Sequence, residues 1–131
     1  MIYPKCCEIP LGQRHEKDRK GILAVDVDGV LTDPREGDWN DYSRVLPNKE
    51  MISKVNRLCR LGWIIVIHTS RAERERLVTE TWLKTHDVHY WYLVMGKIRA
   101  DFYLDDRSLK PSDIDELVEV SEKWQKKHIS S

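Results

Sequence analysis

Short apolar runs that stop abruptly on polar residues set the strongest limit on how this chain can fold. The stretch GILAVDV runs into Asp26-Val27-Asp28-Gly29, and WIIVIH runs into Thr69-Ser70-Arg71. A third run, Val88–Val94, leads to Met95-Gly96-Lys97, and DFYLDD ends on Asp105-Asp106. Apolar runs this short, bounded by turn residues, read as buried strands. Between them lie segments with helical spacing. PNKEMISKVNRLCRLG places Met51, Ile52, Val55, Leu58 and Cys59 on one face, with Gly62 positioned to end the helix. Arg71 to about His86 carries Leu77, Val78, Trp82 and Leu83 in the same way. PSDIDELVEVSEKWQKKH has Ser112 as a cap and Ile114, Leu117, Val118, Ser121 and Trp124 on one face. DGVLTDPREGDWNDYSRVLP reads as a polar loop. The order is β-α-β-α-β-β-α. Strands alternating with helices, joined by right-handed crossovers, predict a three-layer α/β/α Rossmann-like sandwich with a mostly parallel sheet.

Composition sets the outer bounds. At 131 residues the chain holds one domain, read here as 21–131, with residues 1–20 as an N-terminal extension. Lys+Arg and Asp+Glu each number 22, and the zero balance argues against a non-specific nucleic-acid partner while leaving room for a local basic patch. No apolar run reaches the roughly 18 residues of a membrane span, so no membrane partner is expected. MIYPKCCEIPLG lacks the apolar core of a signal peptide. Cys6, Cys7 and Cys59 make an odd count that suits reduced thiols, and a cytoplasmic location is expected. A zinc site from Cys6, Cys7 and His15 would lack the paired spacing of structural zinc ligands.

Ligands of open α/β sheets bind beyond the carboxyl ends of the strands, which is where the polar clusters fall. Asp26 and Asp28 are two residues apart, a strand spacing that puts both side chains on one face. Gathering these acids with Asp105 and Asp106 would be costly without counter-charge. Lys97 and a divalent cation would supply it, and hard oxygen ligands with room for water and phosphate suggest Mg2+.

At this point the chain resembles the haloacid dehalogenase (HAD) superfamily of phosphohydrolases. The four motifs occur in order: DVDGV, Thr69 after a hydrophobic strand, Lys97, and DD after FYL, together spanning Gly21 to Leu109. Within the superfamily it is similar to short, capless phosphatases associated with capsule-polysaccharide biosynthesis, through its TSR, MGKIRAD and YLDD segments. The resemblance implies Asp26 as the nucleophile that forms an aspartyl-phosphate, and Asp28 as the acid that protonates the leaving alcohol and then activates water. It implies that Thr69 binds a phosphoryl oxygen and Lys97 offsets negative charge. It further implies Mg2+ held by Asp26, the Asp28 carbonyl and Asp105, with Asp106 acting through water or orienting Lys97. Ile98 departs from the family pattern, in which Pro often follows the Lys. The gaps Val30–Leu46 and Val94–Ala100 are too short for a cap domain, so the site is expected to be open. An open site suits a bulky substrate, or a small one enclosed by another subunit of a homo-oligomer.

Several residues carry two readings. Ser70 is a substrate contact or a helix cap, and Arg71 is a phosphate or substrate contact or a solvated first-turn residue. Trp39 lies in the first gap with Asn40 and Tyr42, and either stacks on a sugar or base or anchors its loop. Asp33 reads as a turn residue, Asp101 as the residue before a strand or as support for the site, and His68 as packed. Trp63, Trp82 and Trp124 fit core faces. The sequence thus points to a Mg2+-dependent phosphatase acting on a small-molecule phosphate ester, with a sugar or sugar-acid phosphate preferred. The alternatives are a nucleotide or nucleic-acid-end phosphatase and a non-catalytic phosphate-binding or protein-interaction module. The last class is expected to lose a motif acid, and this chain has all four.

Overall fold

A computed structural model describes residues 21–37 and 41–129. Trp39 and Asn40, and the 1–20 extension with Cys6, Cys7 and His15, lie outside the described residues. The chain is α/β and Rossmann-like. Strand β1 (Ile22–Val25) is followed by a hairpin of β2 (Thr32–Gly37) and β3 (Val45–Pro47), then helix α1 (Lys49–Arg60) and strand β4 (Ile64–His68). Helix α2 (Arg76–Thr85), strand β5 (Tyr92–Val94) and helix α3 (Ile114–Ile129) complete it. The sheet has the order β1-β4-β5 and is parallel throughout, with Val25 opposite Ile67 and His68 opposite Val94. Strand ends therefore meet along one edge. Among the described residues no helix is long and apolar enough to cross a membrane.

The core forms where the alternating faces of the strands meet the helix stripes. Val25, Ile65 and Ile67 from the sheet cluster with Ile52, Val55, Leu58 and Cys59 of α1 and with Trp82 and Leu83 of α2. The indole N–H of Trp82 donates to the Val45 carbonyl at 2.8 Å, tying α2 to the hairpin. The indole of Trp63 does the same for α3, donating to Ser121 Oγ at 3.0 Å. Asn48 caps α1 by accepting from the Met51 N–H at 3.1 Å, and Gly62, at φ 105°, ends it as expected.

Four local expectations are corrected. The segment after β1 is not simply a loop, because it contains the β2–β3 hairpin. The third strand is three residues long instead of seven. Two N–H groups earlier in the run are engaged elsewhere, Val88 with Leu83 O at 2.9 Å and His89 with Asn56 Oδ1 at 2.8 Å, and pairing with β4 begins only with the Trp91 N–H, which donates to Ile65 O at 2.7 Å. Ser112 does not start α3; Asp113 reaches back instead, its carboxylate accepting from the Lys110 N–H at 2.9 Å. DFYLDD forms no strand. Phe102 is 91% and Leu104 107% exposed, and the segment closes on itself, the Tyr103 hydroxyl donating to the Ile98 carbonyl.

Asn56 is a point where the fold can be tested. It is buried, and its amide donates to the Asp87 carbonyl at 2.8 Å while accepting from the His89 N–H at 2.8 Å. It thereby holds the tight turn at Asp87, whose φ is 53°. Asn56→Ala leaves both backbone groups unpaired in the interior. We expect it to lower unfolding stability by about 2–3 kcal/mol in urea titration.

Candidate active site

Asp26 directly follows the end of β1 at Val25, and its Oδ1 accepts from the Val27 N–H at 2.8 Å. The chain then reverses through Asp28 (φ −73°, ψ 124°) and Gly29 (φ 84°, ψ −6°), the dihedrals of a type II turn. The second central position of such a turn needs positive φ. Glycine is required here for conformation, since a Cβ at Gly29 would meet nothing within 4 Å. The buried Thr32 hydroxyl accepts from the Gly29 N–H at 3.0 Å and fixes the turn from below. Asp28 is thus lifted over the sheet edge beside Asp26.

Main-chain bonds extend the sheet past the end of β4. The Thr69 N–H donates to the Val94 carbonyl at 2.9 Å, and the Lys97 N–H donates to the Thr69 carbonyl at 2.8 Å. Gly96 donates to the Arg71 carbonyl at 2.9 Å. The third cluster is therefore stitched to the second, and Lys97 stands opposite Thr69. Thr69 is fully buried, and its hydroxyl accepts from the Arg71 N–H at 3.2 Å. Ser70 lies half-buried on the same loop. It does not cap the following helix, because Ala72 and Glu75 occupy the two cap positions without side-chain bonds.

Arg71 departs most from expectation. It is 0% exposed. Its Nε and Nη2 donate to the two Asp28 carboxylate oxygens at 3.0 and 2.7 Å, and Nη1 donates to Thr79 Oγ1 at 3.0 Å. The guanidinium carbon lies 4.0 Å from the centre of the Tyr42 ring. The sequence leaves Arg71 as a phosphate or substrate contact or a solvated first-turn residue; the fold turns it inward on Asp28. A charged loop residue ordinarily faces water, so only a contact across 43 positions could have disclosed this.

Burial pushes the Asp26 carboxyl above its usual range, and the charge of Asp28 adds to this; the Val27 N–H, Lys97 and His68 pull the other way. Asp26, Asp28, Thr69 and Lys97 are thus gathered at one edge, with Arg71 behind them. Asp105 and Asp106 are exposed in the irregular segment before α3, where Asp105 accepts from the Arg107 N–H at 2.9 Å. Among the described residues no three carboxylate, imidazole or thiol groups come together to hold a metal ion. Arg71 engages both carboxylate oxygens of Asp28 and leaves its main-chain carbonyl untouched, so the misfit rests on Asp105, which is not gathered with Asp26 and Asp28. The donor set in this arrangement does not fit Mg2+, and the proposed chemistry runs through no metal step.

No family model and no curated protein matches the sequence. Among solved structures, a structural-genomics target from Vibrio cholerae superposes with a TM-score of 0.63 at 29% identity. The match covers 82% of this chain and 98% of that one. It carries the fold, and no activity comes with it. The chemistry must be read from the strand-end geometry.

The raised Asp26 carboxyl has a measurable consequence. A carboxyl raised in the folded state favours folding below its unfolded pKa, and that contribution is lost as pH rises through the folded one. Asp26→Asn removes the cost of burying the charge. We expect its melting temperature to exceed that of the wild type at pH 7, with the difference shrinking as the buffer is taken into the acid range where Asp26 protonates.

Proposed function

We propose that the chain is a phosphatase that hydrolyses a small-molecule phosphate monoester through an aspartyl-phosphate on Asp26. The observation that carries this reading is the convergence of Asp26, Asp28, Thr69 and Lys97 at the ends of three parallel strands. An Asp26 oxygen attacks phosphorus as the ester P–O bond breaks, and Asp28 gives its proton to the departing oxygen. Water then attacks the same phosphorus, Asp28 takes its proton, and the bond to Asp26 breaks to release inorganic phosphate and restore the carboxylate. The resemblance assigns the Thr69 hydroxyl to a phosphoryl oxygen, although here it is fully buried and accepts from the Arg71 N–H. Lys97 opposes the negative charge of Asp26 and of the phosphoryl group. A sugar or sugar-acid phosphate is the favoured substrate class and the cytoplasm the favoured location, both on the strength of the family resemblance.

The test is a phosphate-release screen over sugar phosphates, sugar-acid phosphates, nucleotides and oligonucleotide ends. We expect turnover on the first two classes and loss of at least about 10³-fold in kcat for Asp26→Asn. Full activity in that variant, or no turnover on any class by the wild type, overturns the reading.

Lys97 provides a second check. Its positive charge holds the Asp26 carboxyl down, so removing it raises that group further. Attack needs the ionised form, whose share falls as pH drops through the raised value. We expect Lys97→Met to move the acid limb of kcat/KM against pH upward, beyond a simple loss of rate.

A further inference from the structure

We propose that Arg71 is a positioning residue for Asp28, setting the orientation in which this carboxylate exchanges a proton with the leaving group and with water. The inference rests on the phosphatase reading and adds to it a residue that touches no substrate. Asp28 sits at the first central position of a turn, where the backbone alone leaves its side chain free to swing. The guanidinium removes that freedom. Its two parallel bonds to Oδ2 and Oδ1, at 3.0 and 2.7 Å, fix the plane of the carboxylate as well as its position.

The guanidinium is itself held from every side. Thr79 Oγ1 accepts from Nη1 at 3.0 Å, while the Thr79 hydroxyl donates to the Glu75 carbonyl at 2.8 Å and keeps its lone pair turned toward Arg71. Tyr42 stacks 4.0 Å from the guanidinium carbon. The Arg71 main chain is pinned by the Thr69 hydroxyl and by Gly96. A cation buried to 0% exposure persists only with partners this complete, and a lysine ammonium could not supply the fork. The Asp28 side chain remains 30% exposed. Its inner side is clamped and its outer side is open to a substrate.

This role makes a distinction that simple structural support does not. Alkyl phosphates need a proton delivered to the departing oxygen, whereas p-nitrophenyl phosphate leaves as a stable anion and needs little help. The experiment compares kcat and KM on p-nitrophenyl phosphate and glycerol 2-phosphate for the full chain and for Arg71→Lys, Tyr42→Leu and Thr79→Val. We expect Arg71→Lys to lose about 10-fold or more in kcat on the alkyl ester, with a much smaller loss on the aryl ester and KM nearly unchanged. Tyr42→Leu and Thr79→Val keep the guanidinium but loosen it, and we expect the same selectivity in smaller measure. They also carry the test where Arg71→Lys fails to fold. Equal losses on both esters, a loss expressed in KM, or no loss in any variant overturns the positioning role alone. A wild-type chain that releases phosphate from neither ester overturns the phosphatase reading and this role with it.

Discussion

A guanidinium with no exposed surface is the constraint on which the polar edge of this molecule depends. Withdrawing a cation from water costs several kcal/mol unless its partners are in place. The partners of Arg71 come from separate stretches: the turn after β1, Tyr42 before β3, Thr79 in α2, and the loop around Gly96. Asp28, Thr79 and Tyr42 meet the guanidinium itself, while Gly96 holds the Arg71 main chain through its carbonyl. The orientation of Asp28 is therefore a property of the whole edge of the sheet.

The second constraint is a main-chain one. Lys97 is brought to Asp26 because its own N–H extends the β4–β5 pairing through the Thr69 carbonyl. Its place is independent of the identity of the next residue. The lysine ammonium also sits 4.5 Å from the Tyr103 ring centre, so the irregular segment after it leans on the same charge.

The sequence made legible whatever is encoded locally. Each strand-end cluster comes directly after an apolar run, and Asp26, Thr69 and Lys97 needed only the parallel order of the strands to meet. Gly29 and Gly62 announced a turn and a helix end through the conformations that only glycine adopts readily. Features that depend on contacts between distant positions stayed hidden. TDPREG, with a proline and charges, reads as a loop, and becomes a strand only through its pairing with Val45–Pro47. DFYLDD has the alternation of a strand, yet among the described residues no neighbour pairs with it. Periodicity states what a segment is able to do, and pairing decides whether it does so. Arg71 belongs to the same class: nothing local tells an inward arginine from a solvated one.

The surroundings of Asp26 show what its depth in the fold does to a carboxylate. Burial raises the Asp26 carboxyl, which lowers the ionised share at acid pH. The same loss of water leaves the ionised oxygen less hydrated and strengthens its attraction to Lys97, since charges interact more strongly where the surroundings are less polar. Complete burial without Lys97 would leave the acid protonated, whereas full exposure would surround the oxygen with water and weaken the hold of the lysine. A half-buried carboxylate next to one lysine lies between these limits. The fold reaches that balance by ending β1 at Val25, immediately before Asp26, and turning the chain at Asp28 and Gly29.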